Sequence, residues 1–166
     1  MIEVKNADTS YIPVIRSLAI ISWQSAYKEI LSASQMDYML KLNYSEAALQ
    51  KQIQEQHQQF IIASDKIEAV GFASYSIKNA EEPTVFRLHK IYINPCQQGN
   101  GIGKILLAHI ISDIKPKGAT SLELNVNRYN TALHFYLKAG FEIIKEEDID
   151  IGAGYFMNDY LMKLSL

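Results

Sequence analysis

A glycine-rich loop is the part of this sequence whose residue types and spacing are best suited to bind an anion. It lies between a strand-like apolar run and a helix with apolar residues at helical spacing. Glycines at positions 99, 101 and 103 let the backbone turn tightly and approach a ligand closely, and a helix N-terminus presents free N–H groups and partial positive charge. The sequence therefore predicts a pyrophosphate site formed by Gln98, Gly99, Asn100, Gly101, Ile102, Gly103 and Lys104.

Two common nucleotide-binding patterns do not fit this loop. A P-loop would need a glycine where Gln98 stands and a hydroxyl residue after Lys104, where the chain has Ile105. A dinucleotide fingerprint starting at Gly99 would need its third glycine at Lys104. The spacing that does fit is Gln-x-x-Gly-x-Gly, over residues 98 to 103.

Composition indicates one small globular enzyme. The chain has 166 residues, of which 48% are hydrophobic and 20% charged, so we expect a single domain over residues 1–166. The formal net charge of -2 and the lack of a basic tract give no reason to expect a nucleic acid partner. The lone Cys96 excludes an internal disulfide, and no export signal or long apolar run is present, so the expected location is cytoplasmic without a membrane partner.

The elements that must position the loop follow a mixed α+β pattern around one central sheet. Period-2 and period-3.6 patterns predict strands at 2–5, 59–63, 69–77, 84–93, 122–126, 141–149 and 155–164, and helices at 11–26, 35–42, 46–57, 102–114 and 130–139. Ser34, Ser45 and Asn130 are the expected N-caps of three of these helices. Trp23 lies on the apolar face of the first helix, so it is expected in the core or in a pocket wall.

A second cluster, from Ala132 to Phe141, follows the pattern Ala-x-x-Phe-Tyr-x-Lys-x-Gly-Phe. With the glycine loop and the order of elements, this cluster resembles the GNAT superfamily of N-acetyltransferases, and the C-terminal strands resemble its PaiA-type polyamine acetyltransferase branch. The resemblance implies a mostly antiparallel sheet of about six to seven strands, flanked by helices and splayed between the fourth and fifth strands.

The resemblance also implies a reaction and a set of residues. The donor would be acetyl-CoA, and the acetyl group would pass directly to a primary amine of a small molecule, a polyamine or a peptide within a ternary complex. The 98–104 loop would hold the pyrophosphate, and Tyr136 would donate a proton to the departing thiolate. The further residues implied at the cofactor are Ile91, Tyr92 and Ile93, through their backbone groups, with Asn125, Asn130 and Tyr136 through their side chains.

The proton acceptor for the amine is less clear from the sequence. A primary amine with a pKa of about 10.4 must lose a proton before it attacks. Strict strand alternation would put Arg87, His89, Ile91 and Ile93 on one face. The resemblance implies a glutamate, or in some enzymes a histidine, at the positions of Arg87 and His89. His89 is the candidate base, with water as the open alternative, because arginine is permanently charged. The missing glutamate also keeps open a non-catalytic acyl-CoA-binding regulatory module.

The remaining polar groups suggest less chemistry. The histidines are dispersed without metal-ligand spacing, so no metal is predicted, and Cys96 has no nearby base in the sequence to activate it. The acidic runs 81–82 and 146–148 are either the rim of a site for a cationic acceptor or solvated turns, with solvated turns favoured. The sequence leaves the acceptor and the oligomeric state open, a homodimer included.

Overall fold

The computed structural model describes residues 1–166, whose strands form one seven-stranded sheet in the order β1-β2-β3-β4-β5-β7-β6. The strands are β1 (Ile2–Ala7), β2 (Gln59–Asp65), β3 (Glu68–Ile77), β4 (Val85–Ile93), β5 (Ser121–Asn127), β6 (Glu142–Gly152) and β7 (Tyr155–Ser165). The helices are α1 (Ile12–Tyr27), α2 (Ala33–Tyr44), α3 (Glu46–Gln54), α4 (Ile102–Ile114) and α5 (Ala132–Lys138). No helix is long and apolar enough to cross a membrane.

The sheet splays between its fourth and fifth strands. β4 and β5 are parallel neighbours, and their register is limited to residues 85–87 of β4 and 121–123 of β5. Every other pair of neighbouring strands is antiparallel and has a longer register. The predicted mixed fold and the predicted position of the splay are confirmed.

Two apolar cores cover the two faces of the sheet. On one face α4 and α5 pack over the middle strands, with Leu106, Ile110 and Leu124 fully buried or nearly so. On the other face α1, α2 and α3 cover the first strands around Phe60 and Phe72. Because apolar burial is the main favourable contribution to folding, these two cores hold the strands on both sides of the splay in place.

Helix ends differ from the prediction where local capping geometry decides them. The N-cap of α2 is Ser32, whose hydroxyl accepts a hydrogen bond from Gln35 N–H at 3.1 Å, and the predicted cap Ser34 lies inside the first turn. Ser32 and Gln35 have the spacing of a capping box, which the prediction overlooked. The third helix ends at Gln54 rather than at His57, because His57 adopts a left-handed φ of 51° that a helix cannot contain.

A bulge in β4 overturns the predicted alternation of that strand. Ser74 pairs with Lys90 and Tyr75 pairs with Leu88, so that His89 is an extra residue on β4. A bulge shifts the alternation by one position, because two residues of one strand then face one residue of its neighbour. Phe86 and Leu88 therefore share the α4 side with Ile91 and Ile93. Arg87 is not on that face, which corrects the predicted grouping.

Candidate active site

The gap between β4 and β5 opens into a cleft of about 740 Å³. The N-terminus of α4 forms one end of the cleft, and the C-terminus of α1 and the start of α5 form other parts of its wall. The predicted site residues that line it are His89, Ile91, Tyr92, Ile93, Gln98, Gly99, Gly101, Ile102, Gly103, Lys104, Asn125, Asn130 and Tyr136. Asn100 does not line it, because its side-chain amide is turned towards Gln97 Oε1, at 3.3 Å.

The glycine loop presents free backbone donors to this cleft. Gly99 and Gly101 have φ values of 84° and 78°, a region that side-chain-bearing residues rarely adopt, and Gly101 is the residue at which the helix begins. The first hydrogen bond of α4 runs from Ile105 N–H to the Gly101 carbonyl, at 3.1 Å. The amides of residues 102–104 therefore have no acceptor in their own helix, which makes this end of the cleft suited to an anion.

The backbone of β4 has a free edge along the cleft. Residues 91–93 pair with β3 on one side, but the pairing of β4 with β5 stops at residue 87. The opposite side of residues 88–93 therefore has no neighbouring strand. An extended chain that carries amide groups can bind to such an edge as an added strand.

Tyr136 lies in the cleft wall with most of its side chain enclosed. The residue is 7% exposed, and its ring packs edge-on against Phe135 and Phe141. Burial, with a smaller contribution from Tyr27, raises the pKa of Tyr136 above its ordinary value. The hydroxyl therefore stays protonated over the physiological range and can act only as a proton donor.

His89 occupies the bulge of β4 and faces the cleft. Its Nε2 lies 2.8 Å from the Ser76 hydroxyl. Although the side chain is exposed to the cleft, desolvation by the surrounding protein, followed by the positive charges of Lys90 and Arg87, lowers the pKa of His89 to about 4. The imidazole is neutral at pH 7, but a base with so low a pKa has little driving force to take a proton from an ammonium group.

The structure also brings residues to the cleft that the sequence interpretation missed. Tyr27, at the end of α1, lies in the cleft wall, and its hydroxyl accepts a hydrogen bond from Asn130 Nδ2 at 3.3 Å. The Oδ1 atom of Asn130 accepts from Ala132 N–H at 2.9 Å and so orients the start of α5, although the N-cap of α5 is Thr131 rather than the predicted Asn130. Asp159, on β7, is buried opposite Asn127 of β5, although it does not line the cleft. Because β7 also carries Asn158 and Lys163, nothing in the sequence singles Asp159 out.

Four of the five carboxylates in the predicted acidic runs form ion pairs. Glu82 forms an ion pair with Lys78 at 3.0 Å, in the turn between β3 and β4 and away from the cleft. Asp148 forms one with Arg128 at 2.7 Å. The favoured interpretation, solvated charged turns, holds for residues 81–82. Residues 146–148 lie within β6 instead, where Glu147 Oε2 accepts a hydrogen bond from Asn125 of the cleft wall at 2.9 Å. No group of three or more His, Cys, Asp or Glu side chains is arranged to hold a metal ion.

A splayed sheet beside a helix N-terminus with free amides, and a buried tyrosine in the gap, form the framework of an N-acetyltransferase. Comparison with protein-family models agrees with this assignment. Residues 27–157 match the acetyltransferase (GNAT) domain, and the chain belongs to that family. The predicted family and the predicted enzyme class are confirmed.

Relatives of similar length extend this finding. The chain is 28% identical over 154 residues to the uncharacterised N-acetyltransferase YuaI of Bacillus subtilis, which covers 92% of this chain and 87% of that protein. It is 27% identical over 162 residues to a spermidine N(1)-acetyltransferase of Thermoplasma acidophilum, covering 94% of this chain and 95% of that protein. The crystal structure of the PaiA N-acetyltransferase of Thermoplasma acidophilum in complex with coenzyme A superposes with a TM-score of 0.84 and 24% identity, over 100% of this chain and 99% of that one.

Proposed function

We propose that this protein transfers the acetyl group of acetyl-CoA directly to the primary amine of an aliphatic polyamine. The observation that carries the proposal is the cleft itself, which joins an anion-binding helix N-terminus to a buried tyrosine hydroxyl along the free edge of β4. The similarity to a spermidine acetyltransferase over nearly the whole chain supports the choice of acceptor.

The residues of the cleft fit coenzyme A in both charge and shape. The free amides at the start of α4, with the Lys104 side chain, would hold the pyrophosphate, because both supply positive charge to an anion. The free edge of residues 91–93 would bind the amides of the pantetheine arm. Bound in this way, acetyl-CoA would supply the activated acetyl group at the Tyr136 end of the cleft.

Tyr136 would protonate the departing sulfur. Its hydroxyl is protonated at neutral pH and lies in the wall of the cleft, so it has a proton to donate there. A covalent acetyl-enzyme finds no support, since Cys96 is exposed and lies outside the cleft. The two substrates would therefore be bound at the same time.

The acceptor would enter beside the C-terminus of α1. Glu29 lines the cleft there, is exposed and has no ion-pair partner, so it offers a charge to a cationic amine. Tyr27 and Tyr92 add aromatic walls to the same region, which suits the aliphatic part and the cationic end of a polyamine.

The test is release of coenzyme A thiol from acetyl-CoA over a panel of spermidine, spermine, diamines, amino acids and short peptides. We expect turnover with polyamines. When both substrates are varied, double-reciprocal plots of the initial velocity should give intersecting lines, as expected for a ternary complex. Parallel lines would contradict direct transfer, and preference for peptides would contradict the polyamine acceptor.

The same assay decides the alternative of a non-catalytic acyl-CoA-binding module. The weak basicity of His89 and the arginine at position 87 favour that alternative. Binding of acetyl-CoA, measured by calorimetry, without thiol release on any amine would establish it.

A further inference from the structure

The cleft is closed at one end by the point where β4 and β5 pair with each other. The last pair of their parallel register is Arg87 with Glu123. The next residues, Leu88 on β4 and Leu124 on β5, already line the cleft. The closed end therefore lies at the N-terminal end of the free edge of β4, whereas the glycine loop follows the C-terminal end of that strand.

A hydrogen bond between two side chains joins the strands at this closed end. Arg87 Nη2 donates to Asn125 Oδ1 at 2.5 Å, just beyond the last backbone pair. Asn125 lines the cleft, whereas Arg87 does not. Asn125 is therefore a wall residue that Arg87 holds from outside the cleft.

The other end of the Asn125 amide is bound as well. Its Nδ2 atom donates to Glu147 Oε2 on β6 at 2.9 Å, and Glu147 Oε1 forms an ion pair with Lys145 Nζ at 2.8 Å. The amide is thus held between a cation and a carboxylate. Because hydrogen bonds to charged groups are the stronger kind, two of them fix both the position and the rotation of this amide.

The alternation of the strands decides what lies on each side of the closed end. Leu88 and Leu124 belong to the apolar core on the α4 side of the sheet. Side chains of consecutive strand residues point to opposite faces, so Arg87 and Asn125 lie on the other side. The closed end is therefore bounded by leucine side chains on the α4 side and by the held amide on the opposite side.

Acetyl-CoA bound as proposed above would direct its acyl group towards this closed end. The pyrophosphate would lie at the N-terminus of α4, and the pantetheine arm would run back along the free edge from residue 93 towards residue 88. That edge is about 17 Å long at 3.3 Å per residue. The arm from the phosphate oxygen to the sulfur has the length of about four extended residues, or about 14 Å. The acyl group would therefore lie beside Leu88 and Asn125.

We propose that Asn125, held by Arg87 and Glu147, is the end wall of the acyl site and limits the donor to short acyl groups such as acetyl. Arg87 is a positioning residue in this arrangement, because it acts through Asn125. The inference rests on the proposed function for the identity of the donor. It concerns the acyl group and not the amine acceptor.

The hydrogen bonds of Asn125 explain why a longer chain would be rejected. Such a chain would have to displace the amide, which would deprive the Arg87 guanidinium and the Glu147 carboxylate of this partner. An aliphatic chain offers no hydrogen bond in return, so the loss would not be compensated. An acetyl group ends before the wall and requires no displacement.

This role also accounts for the arginine at position 87, where the resemblance implies a glutamate or a histidine. The Asn125 oxygen is an acceptor and needs a donor opposite it. A guanidinium has N–H groups to donate, whereas an ionised carboxylate has none. With arginine at this position, the residue supports the wall of the site.

The test compares the Kd of acetyl-CoA with that of butyryl-CoA, measured by calorimetry, in wild type and in Asn125→Ala. A closed pocket discriminates about 10- to 200-fold per methylene, so we expect butyryl-CoA to bind the wild type at least about 10-fold more weakly than acetyl-CoA. Asn125→Ala removes the amide and opens the wall. It should reduce this ratio to about threefold or less, with the Kd of acetyl-CoA changed less than that of butyryl-CoA.

Arg87→Met tests the hold on Asn125 separately. This variant keeps the amide but removes the donor to its oxygen, so the ratio should lie between those of wild type and Asn125→Ala. It still decides the matter if Asn125→Ala does not fold. Asn6→Ala is the matched control, because Asn6 is exposed on β1 outside the cleft, and it should keep the wild-type ratio.

The inference is overturned if the wild type binds both thioesters equally well, or if neither variant lowers the ratio. Binding needs no acceptor, so these outcomes do not depend on turnover. Absence of thiol release on every amine would overturn the proposed acetyl transfer, and the ratio of the two Kd values would still decide this inference. Failure of the wild type to bind either thioester would overturn both.

Discussion

The ring of Phe135 fills the space beside Gly103: a Cβ built on Gly103 would lie 3.2 Å from Phe135 Cζ. The glycine loop and the Phe-Tyr cluster, two separate motifs in the sequence, are therefore in contact across the end of the cleft. Gly103 is required for this packing in addition to the close approach of a ligand.

Gly103→Ala should therefore destabilise the protein despite its better helix propensity. The gain in propensity is about 1 kcal/mol, whereas overpacking in a tight contact costs about 1–3 kcal/mol. Thermal or urea unfolding should show a net loss of about 1 kcal/mol. In a Phe135→Leu background the same substitution should be neutral or stabilising, and an equal loss in both backgrounds would refute the contact as the cause.

Tyr136→Phe tests the proposed proton donor. Removal of the hydroxyl should lower kcat by about 100-fold or more, because general acid catalysis contributes roughly 10²–10⁴-fold. The Kd of acetyl-CoA should change little, as the ring and its contacts with Phe135 and Phe141 remain. Tyr11→Phe is the matched control. An unchanged kcat on the best substrate would remove Tyr136 from this role.

Asp159→Asn should stabilise the protein at neutral pH, because Asp159 is buried and no ion pair compensates its charge. The folded-state pKa of about 6 lies above the ordinary carboxyl value of 3.8, so the folded state binds more protons between these values and its stability falls as pH rises through that window. Above pH 6 the carboxylate is ionised in the folded protein, and its burial lowers the free energy of unfolding by roughly 1–3 kcal/mol, at 1.4 kcal/mol per pKa unit. The Tm of the variant should exceed that of wild type at pH 7.5 and approach it at pH 4. A lower Tm at pH 7.5 would indicate a structural role.

Lys90 should show the opposite pH dependence. It is 8% exposed, its Nζ lies over the rings of Tyr44 and Phe60, and burial lowers its pKa to about 7. Between pH 7 and the ordinary value of 10.5 the unfolded chain binds more protons, so this lysine adds stability as pH rises.

Lys90→Met should accordingly raise Tm at pH 6 and raise it less at pH 10. Gln58 Oε1, which accepts from Lys90 Nζ, also accepts from the Ser74 hydroxyl and so keeps a partner in the variant. A Tm difference that does not change with pH would show that the pKa of Lys90 is not lowered in the folded protein.

Much of the fold follows from local patterns. The apolar period of residues 102–114 predicts the bounds of α4 as observed, since a glycine at the start and apolar residues at helical spacing are local properties. The bounds of α2 and α3 were less well predicted, because Ser32 and Ser34 are both acceptable caps and only the backbone conformation selects one. The single-domain and cofactor-residue assignments stay predictions.

The β4 bulge shows why the rest could not be predicted. Nothing in the residues 85–93 marks His89 as an extra residue, because a bulge arises from the register between two strands. Strict alternation therefore assigned the wrong residues of β4 to the side that faces α4. The environment of His89 could not be deduced for the same reason.

The sequence by itself determined the family and predicted an anion-binding loop and a role for Tyr136, because conformational demands on glycine, helix capping and apolar periodicity act over a few neighbouring residues. Only the tertiary structure decided which groups share the cleft. Tyr27 and Asn130 lie far apart in the chain, and the packing of α1 against the sheet brings their side chains within hydrogen-bond distance. The pKa of a group depends on the packing around it, so the low pKa of His89 became visible only in three dimensions.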